Sequence, residues 1–275
     1  MTIATMMVHL GADRSNTKVL DAAGWLAQRL GAGVIGVAAC RPIEVDTSDG
    51  YYSGELLVAE REIVTTELKT LQDEFESPNS ALCNRISWRS TQTLEPVAEY
   101  VADEARSADL IITAFSKEVM LDESRCADTG ALLIHAGRPV LIVPEFAAKP
   151  WFERVVIAWK DTREARRAIA DALPLLKIAS KIIVVEVADE EEMEDARLRV
   201  EDVVEWLKRH ELTAMAAVTP RNGDDSKALA AFTKLNGAEL LVAGAYGHGR
   251  MREWAFGGMT RDLLLHEDRM VLLSH

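Results

Sequence analysis

Four short apolar runs recur in the same order in the two halves of this 275-residue chain. The matching pairs are MMVHL (6–10) with VVIAW (155–159), VIGVAA (34–39) with IIVVEV (182–187), ADLIITA (108–114) with AELLVAG (238–244), and RPVLIVPE (138–145) with RMVLLSH (269–275). A repeat of this kind indicates a tandem duplication. Two prolines interrupt the pattern in PEFAAKPWFER (144–154), so the joint is expected there. The predicted domains are therefore residues 1–147 and 148–275.

The recurring runs are short, rich in β-branched residues and apolar on both faces, which is typical of buried strands in a parallel sheet. Segments with helical spacing of apolar residues lie between them, including NTKVLDAAGWLAQRLG before Gly31 and GELLVAEREIVTTELKTLQDEF. This alternation with short joins predicts an α/β fold. We expect two tandem doubly wound, Rossmann-like domains, each a five-stranded parallel sheet flanked by helices.

The charge balance argues against two classes of partner. The chain has 44 acidic and 31 basic residues, a formal net charge of −13. Such a surface repels nucleic acid and anionic membranes. No segment approaches the roughly 20 apolar residues that a membrane helix needs. We therefore expect a cytoplasmic protein with no nucleic-acid or membrane partner.

Cysteines and acidic clusters suggest structural roles rather than sites. Cys40, Cys83 and Cys126 are far apart and form no CxxC motif, so small buried side chains are expected instead of a disulfide or zinc framework. The run ADEEEMED (188–195) is typical of a solvated helix N-terminus, where acids complement the helix dipole.

The candidate site lies in two loops of the second half. Doubly wound sheets bind ligands at the carboxyl ends of strands, where the strand order reverses. The loops after the first and fourth strands are WKDTREAR (159–166) and GAYGHGRMREWAFGG (244–258). Glycine lets backbone N–H groups approach a phosphate, and a helix that starts near 257 would add free N–H groups. His248, Arg250 and Arg252 could contribute charge. The alternative is a flexible surface loop with solvated arginines.

The glycine spacing resembles a family signature. Gly244-x-x-Gly247, nine residues and then Gly257 is similar to the motif of the universal stress protein family, UspA-type. Gly258 departs from it, because the family has a hydroxyl residue there; Thr260 follows two positions later. Asp161, at the end of the first strand of the half, also matches. Because the repeat carries the likeness over the whole chain, the sequence resembles a tandem universal stress protein with two repeats.

The resemblance implies a ligand and the residues that would hold it. ATP or a related adenine nucleotide would bind in the second half, and Mg²⁺ would arrive with the nucleotide rather than in a protein cage. Asp161 would flank the base with its neighbours Trp159 and Lys160, and Val187 would back the adenine. The residues expected around the phosphates are Gly244, Gly247, His248, Gly257, Gly258, Met259 and Thr260.

The first half departs much further from the signature. Ala114 stands opposite Gly244, Lys117 opposite Gly247, and Cys126 and Ala127 opposite Gly257 and Gly258. Gly11 or Ala12 stands opposite Asp161, with Asp13 displaced. Since a Cβ at each glycine position would crowd a phosphate, this half is predicted not to bind ATP in the manner of the second.

The resemblance to this family also suggests how the last strands of the two halves could pair. In single-domain relatives the last strands pair across a two-fold axis. Here the matching strands LIVPE (141–145) and VLLSH (271–275) lie in one chain and could pair within it, as an intrachain pseudo-dimer. Further pairing into a homodimer is also open.

No dedicated catalyst is visible. Motifs of hydrolases, metalloproteases, P-loop enzymes and dinucleotide-binding folds are missing from the sequence. Five histidines are scattered and expected to be structural or solvated: His9, His135, His210, His266 and His275. Three functions stay open: a regulatory or protective nucleotide-binding stress protein; a slow ATP-hydrolysing or adenylating enzyme; and an adaptor or small-molecule binder.

Overall fold

Ten strands form one sheet in the computed structural model. It describes residues 2–42, 54–79, 85–115, 123–145, 149, 151–221, 223–245 and 269–275. The strands of the first half are β1 (Thr5–His9), β2 (Gly33–Cys40), β3 (Ile86–Gln92), β4 (Leu110–Phe115) and β5 (Val140–Pro144). Those of the second half are β6 (Arg154–Trp159), β7 (Lys181–Ala188), β8 (Ala214–Pro220), β9 (Leu240–Gly244) and β10 (Met270–Ser274).

The strand order runs β3-β2-β1-β4-β5-β10-β9-β6-β7-β8 across the sheet. All pairs within each half are parallel, whereas β5 and β10 pair antiparallel at the centre, with Leu141 opposite Leu272. The two last strands of the repeats therefore pair within one chain, as their sequences suggested. The predicted doubly wound parallel fold is confirmed, and the two halves share one continuous sheet.

Seven helices in the described ranges cover the sheet. Their bounds are α1 (Thr17–Leu30), α2 (Gly54–Asn79), α3 (Val97–Glu104), α4 (Thr129–His135), α5 (Arg163–Leu176), α6 (Met193–Arg209) and α7 (Asp225–Leu235). Buried residues of α1, α2, α5 and α6 form one apolar core against one face of the sheet. Those of α3, α4 and α7 share a second core with the other face. Both faces are thus covered, which explains why the strands carry apolar residues on both sides.

Local signals set several helix ends. Gly31 ends α1 in the left-handed conformation at φ 65°, as expected of a glycine C-cap. The side chains of Asp128, Thr162 and Asp224 cap the N-termini of α4, α5 and α7. Within the acidic run at 188–195, residues 190–195 form a short 3₁₀ turn and the first turn of α6, as predicted. None of the helices in the described ranges has the length and apolar character required to cross a membrane.

Candidate functional site

The strand order of the second half reverses between β6 and β9, and five of the predicted site residues meet there. β6 lies between β9 and β7, with Ile157 opposite Val242 and Trp159 opposite Glu186. Trp159 lies two positions after Ile157 and ends β6, and Gly244 lies two positions after Val242 and ends β9. These two residues are therefore the last of two neighbouring strands, at the same edge of the sheet. Lys160 and Asp161 follow Trp159, and Val187 follows Glu186 in β7. These five residues lie at the edge where doubly wound folds bind ligands.

The remaining predicted contacts fall outside the described residues. They are Gly247, His248, Gly257, Gly258, Met259 and Thr260, together with Arg250 and Arg252. Their roles stay predictions from the sequence.

Asp161 and Lys160 are accessible from solvent. The Asp161 carboxylate is 56% exposed and forms an ion pair with the guanidinium of Arg166, one turn into α5. Lys160 is 54% exposed, and its Nζ lies 3.9 Å from Oδ2 of Asp225. Exposed pairs of this kind contribute little to stability, about 0–1 kcal/mol. Both side chains can therefore exchange their present partners for a ligand at small cost.

The Trp159 side chain contains a buried hydrogen-bond donor. Its indole is half-buried against the core beneath α5 and α6. Within the part of the chain that the structure describes, the buried Nε1 atom has no hydrogen-bond partner. Buried polar groups are normally paired, so this N–H is a donor that lacks an acceptor.

Gly244 has a packing role that the sequence did not reveal. A Cβ built on it would lie 2.5 Å from the carbonyl carbon of Glu164 and 2.6 Å from the backbone nitrogen of Ala165. Real Cβ atoms do not approach backbone so closely, so the glycine is what lets the first turn of α5 lie against the end of β9. The same helix–strand contact accounts for one glycine of dinucleotide-binding folds. The space beside Gly244 on this side is occupied by protein.

The N-terminus of α5 is largely satisfied by its own residues. Oγ1 of Thr162 accepts from the Ala165 N–H at 3.3 Å, and the Thr162 carbonyl accepts from the Arg166 N–H at 3.1 Å. Burial alone would raise the pKa of Glu164, but hydrogen bonds from Arg163, its own N–H and Thr162 outweigh it, so the pKa is lowered. The buried Glu164 carboxylate thus already offsets the positive end of the helix dipole.

A chain of charges borders the site beyond β7. Arg221 follows β8 and lies 2.8 Å from Asp189, which follows β7; it also pairs with Asp225 on α7, the partner of Lys160. Sequence reasoning missed these residues, although each comes within a few positions of a strand end. The described residues contain no cluster of three or more His, Cys, Asp or Glu side chains that could hold a metal.

At the matching edge of the first half, side chains of the chain itself occupy the space beside Gly11 and Ala114. Arg14 is 7% exposed; its Nη1 donates to the carbonyl of Ala114 at 3.3 Å, and its Nε donates to Oδ1 of Asp13 at 3.0 Å. A Cβ on Gly11 would lie 2.9 Å from each of those two side chains. The Ala114 that replaces a motif glycine is therefore bonded to an internal guanidinium. This arrangement gives a physical reason for expecting no nucleotide there.

Burial holds three titratable groups of the first half neutral: His9, Cys40 and Cys126. Burial, together with the charge of Arg14, lowers the pKa of His9 to about 3, and its Nδ1 lies 3.0 Å from Oγ1 of Thr113. Burial raises the pKa of the Cys40 and Cys126 thiols to about 12. The interpretation of these cysteines as buried side chains is confirmed, and His9 is structural as expected. Cys83 lies outside the described residues.

Comparison with solved structures identifies the fold. A universal stress protein from Archaeoglobus fulgidus superposes with a TM-score of 0.71 at 16% identity, covering 98% of this chain and 95% of its own. A functionally unknown protein from Pseudomonas aeruginosa gives 0.64 at 16% identity, over 99% of this chain and 92% of its own. No protein-family model matches the sequence, and a search of curated proteins finds no match. The chain has the fold of a tandem universal stress protein, as the repeat predicted.

Proposed function

We propose that this chain is a tandem universal stress protein that binds ATP or a related adenine nucleotide through its second half. The observation that carries the proposal is the placement of Trp159, Lys160, Asp161, Val187 and Gly244 at one edge, where the strand order reverses. That edge is where folds of this class bind ligands. The glycine spacing that begins at Gly244 supplies the expected phosphate contacts.

The described residues fit the base side of such a ligand better than its phosphate side. Asp161 and Lys160 are exposed and weakly held, and the indole N–H of Trp159 has no acceptor among the described residues. These groups would hydrogen-bond and orient the nucleoside. When bound, Mg²⁺ would neutralise charge on the phosphates through their own oxygens. We infer a regulatory or protective binding role, in which occupancy changes the conformation or the partners of the protein.

Two measurements on the full chain test the proposal. Ligand released from purified protein by denaturation is identified by mass spectrometry, and ATP with Mg²⁺ is titrated by calorimetry. We expect a copurified adenine nucleotide or saturable binding. Absence of both at millimolar nucleotide would refute nucleotide binding.

Variants locate the site. Asp161→Ala should weaken binding by about ten- to 150-fold, since a hydrogen bond to a charged group contributes about 1.5–3 kcal/mol. Gly257→Val should abolish it if that glycine contacts phosphate. Asp202→Ala, on α6 away from the edge, is the matched control and should bind as the wild type. Binding that persists in both site variants would place the nucleotide elsewhere.

A further inference from the structure

β8 is an edge strand with an open side. It ends the sheet and pairs only with β7 within the described part of the chain. Its sequence AMAAVTP has no charged residue over seven positions, and Met215 is 55% exposed. β3, at the other end of the sheet, carries the charged Arg89. It is also joined to α2 by side-chain hydrogen bonds; for example, Nε2 of Gln92 donates to Oγ1 of Thr65 at 2.9 Å. Uncharged edges invite a further strand, whereas charged ones resist it.

The ladder between β7 and β8 identifies which backbone groups are available. The Arg221 N–H donates to the carbonyl of Ala188 at 2.8 Å, and the register from Ala214 to Pro220 has no break. Because the N–H and C=O groups of successive strand residues alternate in direction, those of Ala216 and Val218 point away from β7. Pro220 points the same way and has no N–H to lose, as expected of an edge. Ala216 and Val218, with Ala214 at the start of the strand, therefore present both donor and acceptor to an incoming strand.

A groove beside β8 is lined by charged side chains of α6. It encloses about 350 Å³ between β8, at Ala216 to Val218, and the first turns of α6, at Glu194, Arg197 and Glu201. Arg197 forms an ion pair with Glu201 at 2.9 Å, and the charge of Glu194 also acts on Arg197 and helps to raise its pKa. The turn before α6 adds three glutamates at 190–192. Acidic side chains outnumber the basic Arg197 and Arg221 on this flank of the edge, so it complements a basic side chain.

We propose that β8 binds an extended, lysine- or arginine-bearing segment of a partner protein by strand addition. Main-chain hydrogen bonds to Ala216 and Val218 would supply affinity, and alternate side chains entering the acidic groove would supply selectivity. A second copy of this chain fits less well, because pairing β8 with itself would bring two acidic α6 flanks together.

The probe is a fluorescein-labelled heptapeptide of alternating lysine and valine, titrated into the full chain by fluorescence anisotropy. Its controls are the glutamate–valine peptide and the lysine–valine peptide with N-methylated valines. We expect saturable binding of the first, weakened by salt, and no binding of either control. In amide NMR spectra, the largest shifts should fall at Ala216 and Val218. Equal binding of lysine and glutamate peptides would overturn the proposal.

Two variants distinguish peptide binding at the open edge of β8 from nonspecific electrostatic attraction. Val218→Pro removes one outward N–H that the β7 ladder does not use, and Glu194→Lys reverses the charge of the groove. Each should weaken the peptide about tenfold, the equivalent of one or two hydrogen bonds or a close charge pair. Ser90→Pro at an outward position of β3 is the matched control and should have no effect. Ala216→Lys replaces Val218→Pro if the proline variant does not fold.

Two results would contradict strand addition at β8. One is undiminished binding in folded Val218→Pro and Glu194→Lys protein. The other is sedimentation of the wild type as a dimer that Val218→Pro dissociates, without peptide binding, because the edge would then serve a second copy.

Discussion

Gly244 shows how one residue can satisfy a binding motif and a packing requirement. In Gly244→Ala the new Cβ would meet the backbone of Glu164 and Ala165 at 2.5 and 2.6 Å, and neither atom can move without shifting α5. We expect the free energy of unfolding to fall by about 1–3 kcal/mol, the usual cost of overpacking. Urea unfolding followed by circular dichroism measures this change.

The matched control is Ala114→Gly at the equivalent position of β4. There a Cβ is already accommodated, so its removal should cost only the roughly 0.5–1 kcal/mol of added chain entropy. Wild-type stability in Gly244→Ala would mean that the glycine is not needed for packing. Its presence would then have to be explained by a ligand alone.

Protonation of His9, in the first half, is expected to make the free energy of unfolding depend on pH. Its pKa is lowered from 6.5 to about 3, chiefly by burial and then by Arg14. Between these values the unfolded chain binds a proton that the folded chain does not, so this residue makes stability rise with pH. The contribution is about 1.4 kcal/mol for each pH unit, lost as the pH falls below 6.5.

His9→Asn should remove that pH dependence while keeping a polar group near Thr113. The difference in unfolding free energy between wild type and variant, measured in urea from pH 7 to 4.5, should therefore shrink as the pH falls. His135→Asn, exposed on α4, is the control and should follow the wild type. A constant difference across this range would show that His9 is protonated in the folded protein.

At the scale of elements, the sequence predicted the positions of the buried strands but not those of the two edge strands, β3 and β8. β1, β2, β4 and β5 and their counterparts are covered on both faces, so burial selects continuous apolar runs that are visible in the chain. β3 and β8 are half-exposed, and their sequences ISWRSTQ and AMAAVTP carry no such run. Their existence was implied only by the expected count of five strands in each half.

The candidate site was predictable only in part, for a similar reason. Strand ends locate Asp161 and Gly244, because parallel strands share a carboxyl edge. The close approach of α5 to Gly244 depends on how a helix packs over the sheet, which residue spacing does not encode. The same holds for Arg14: its long side chain reaches Ala114, 100 positions away, through tertiary contacts.

At the scale of the whole molecule, strand pairing and a shared apolar core join the repeats. The antiparallel pair β5–β10 makes their sheets continuous. Phe152, at the start of the second half, is fully buried, and its ring lies 5.1 Å from that of Trp25 on α1 at an interplanar angle of 71°. Edge-to-face pairs of this kind add to the stabilisation from burial. Both halves should therefore unfold together.

Phe152→Ala tests this coupling because it removes a side chain shared by both repeats. We expect a loss of about 3–5 kcal/mol from the combined unfolding free energy, whereas Trp151→Ala, at 40% exposure, should change it far less. Hydrogen exchange in increasing urea, read by mass spectrometry, follows peptides from β1 and β6 separately. Both peptides should lose protection at the same urea concentration, and that concentration should fall equally for both in Phe152→Ala. A fall confined to β6 would contradict the coupling, because the first half would then be stable without the aromatic pair.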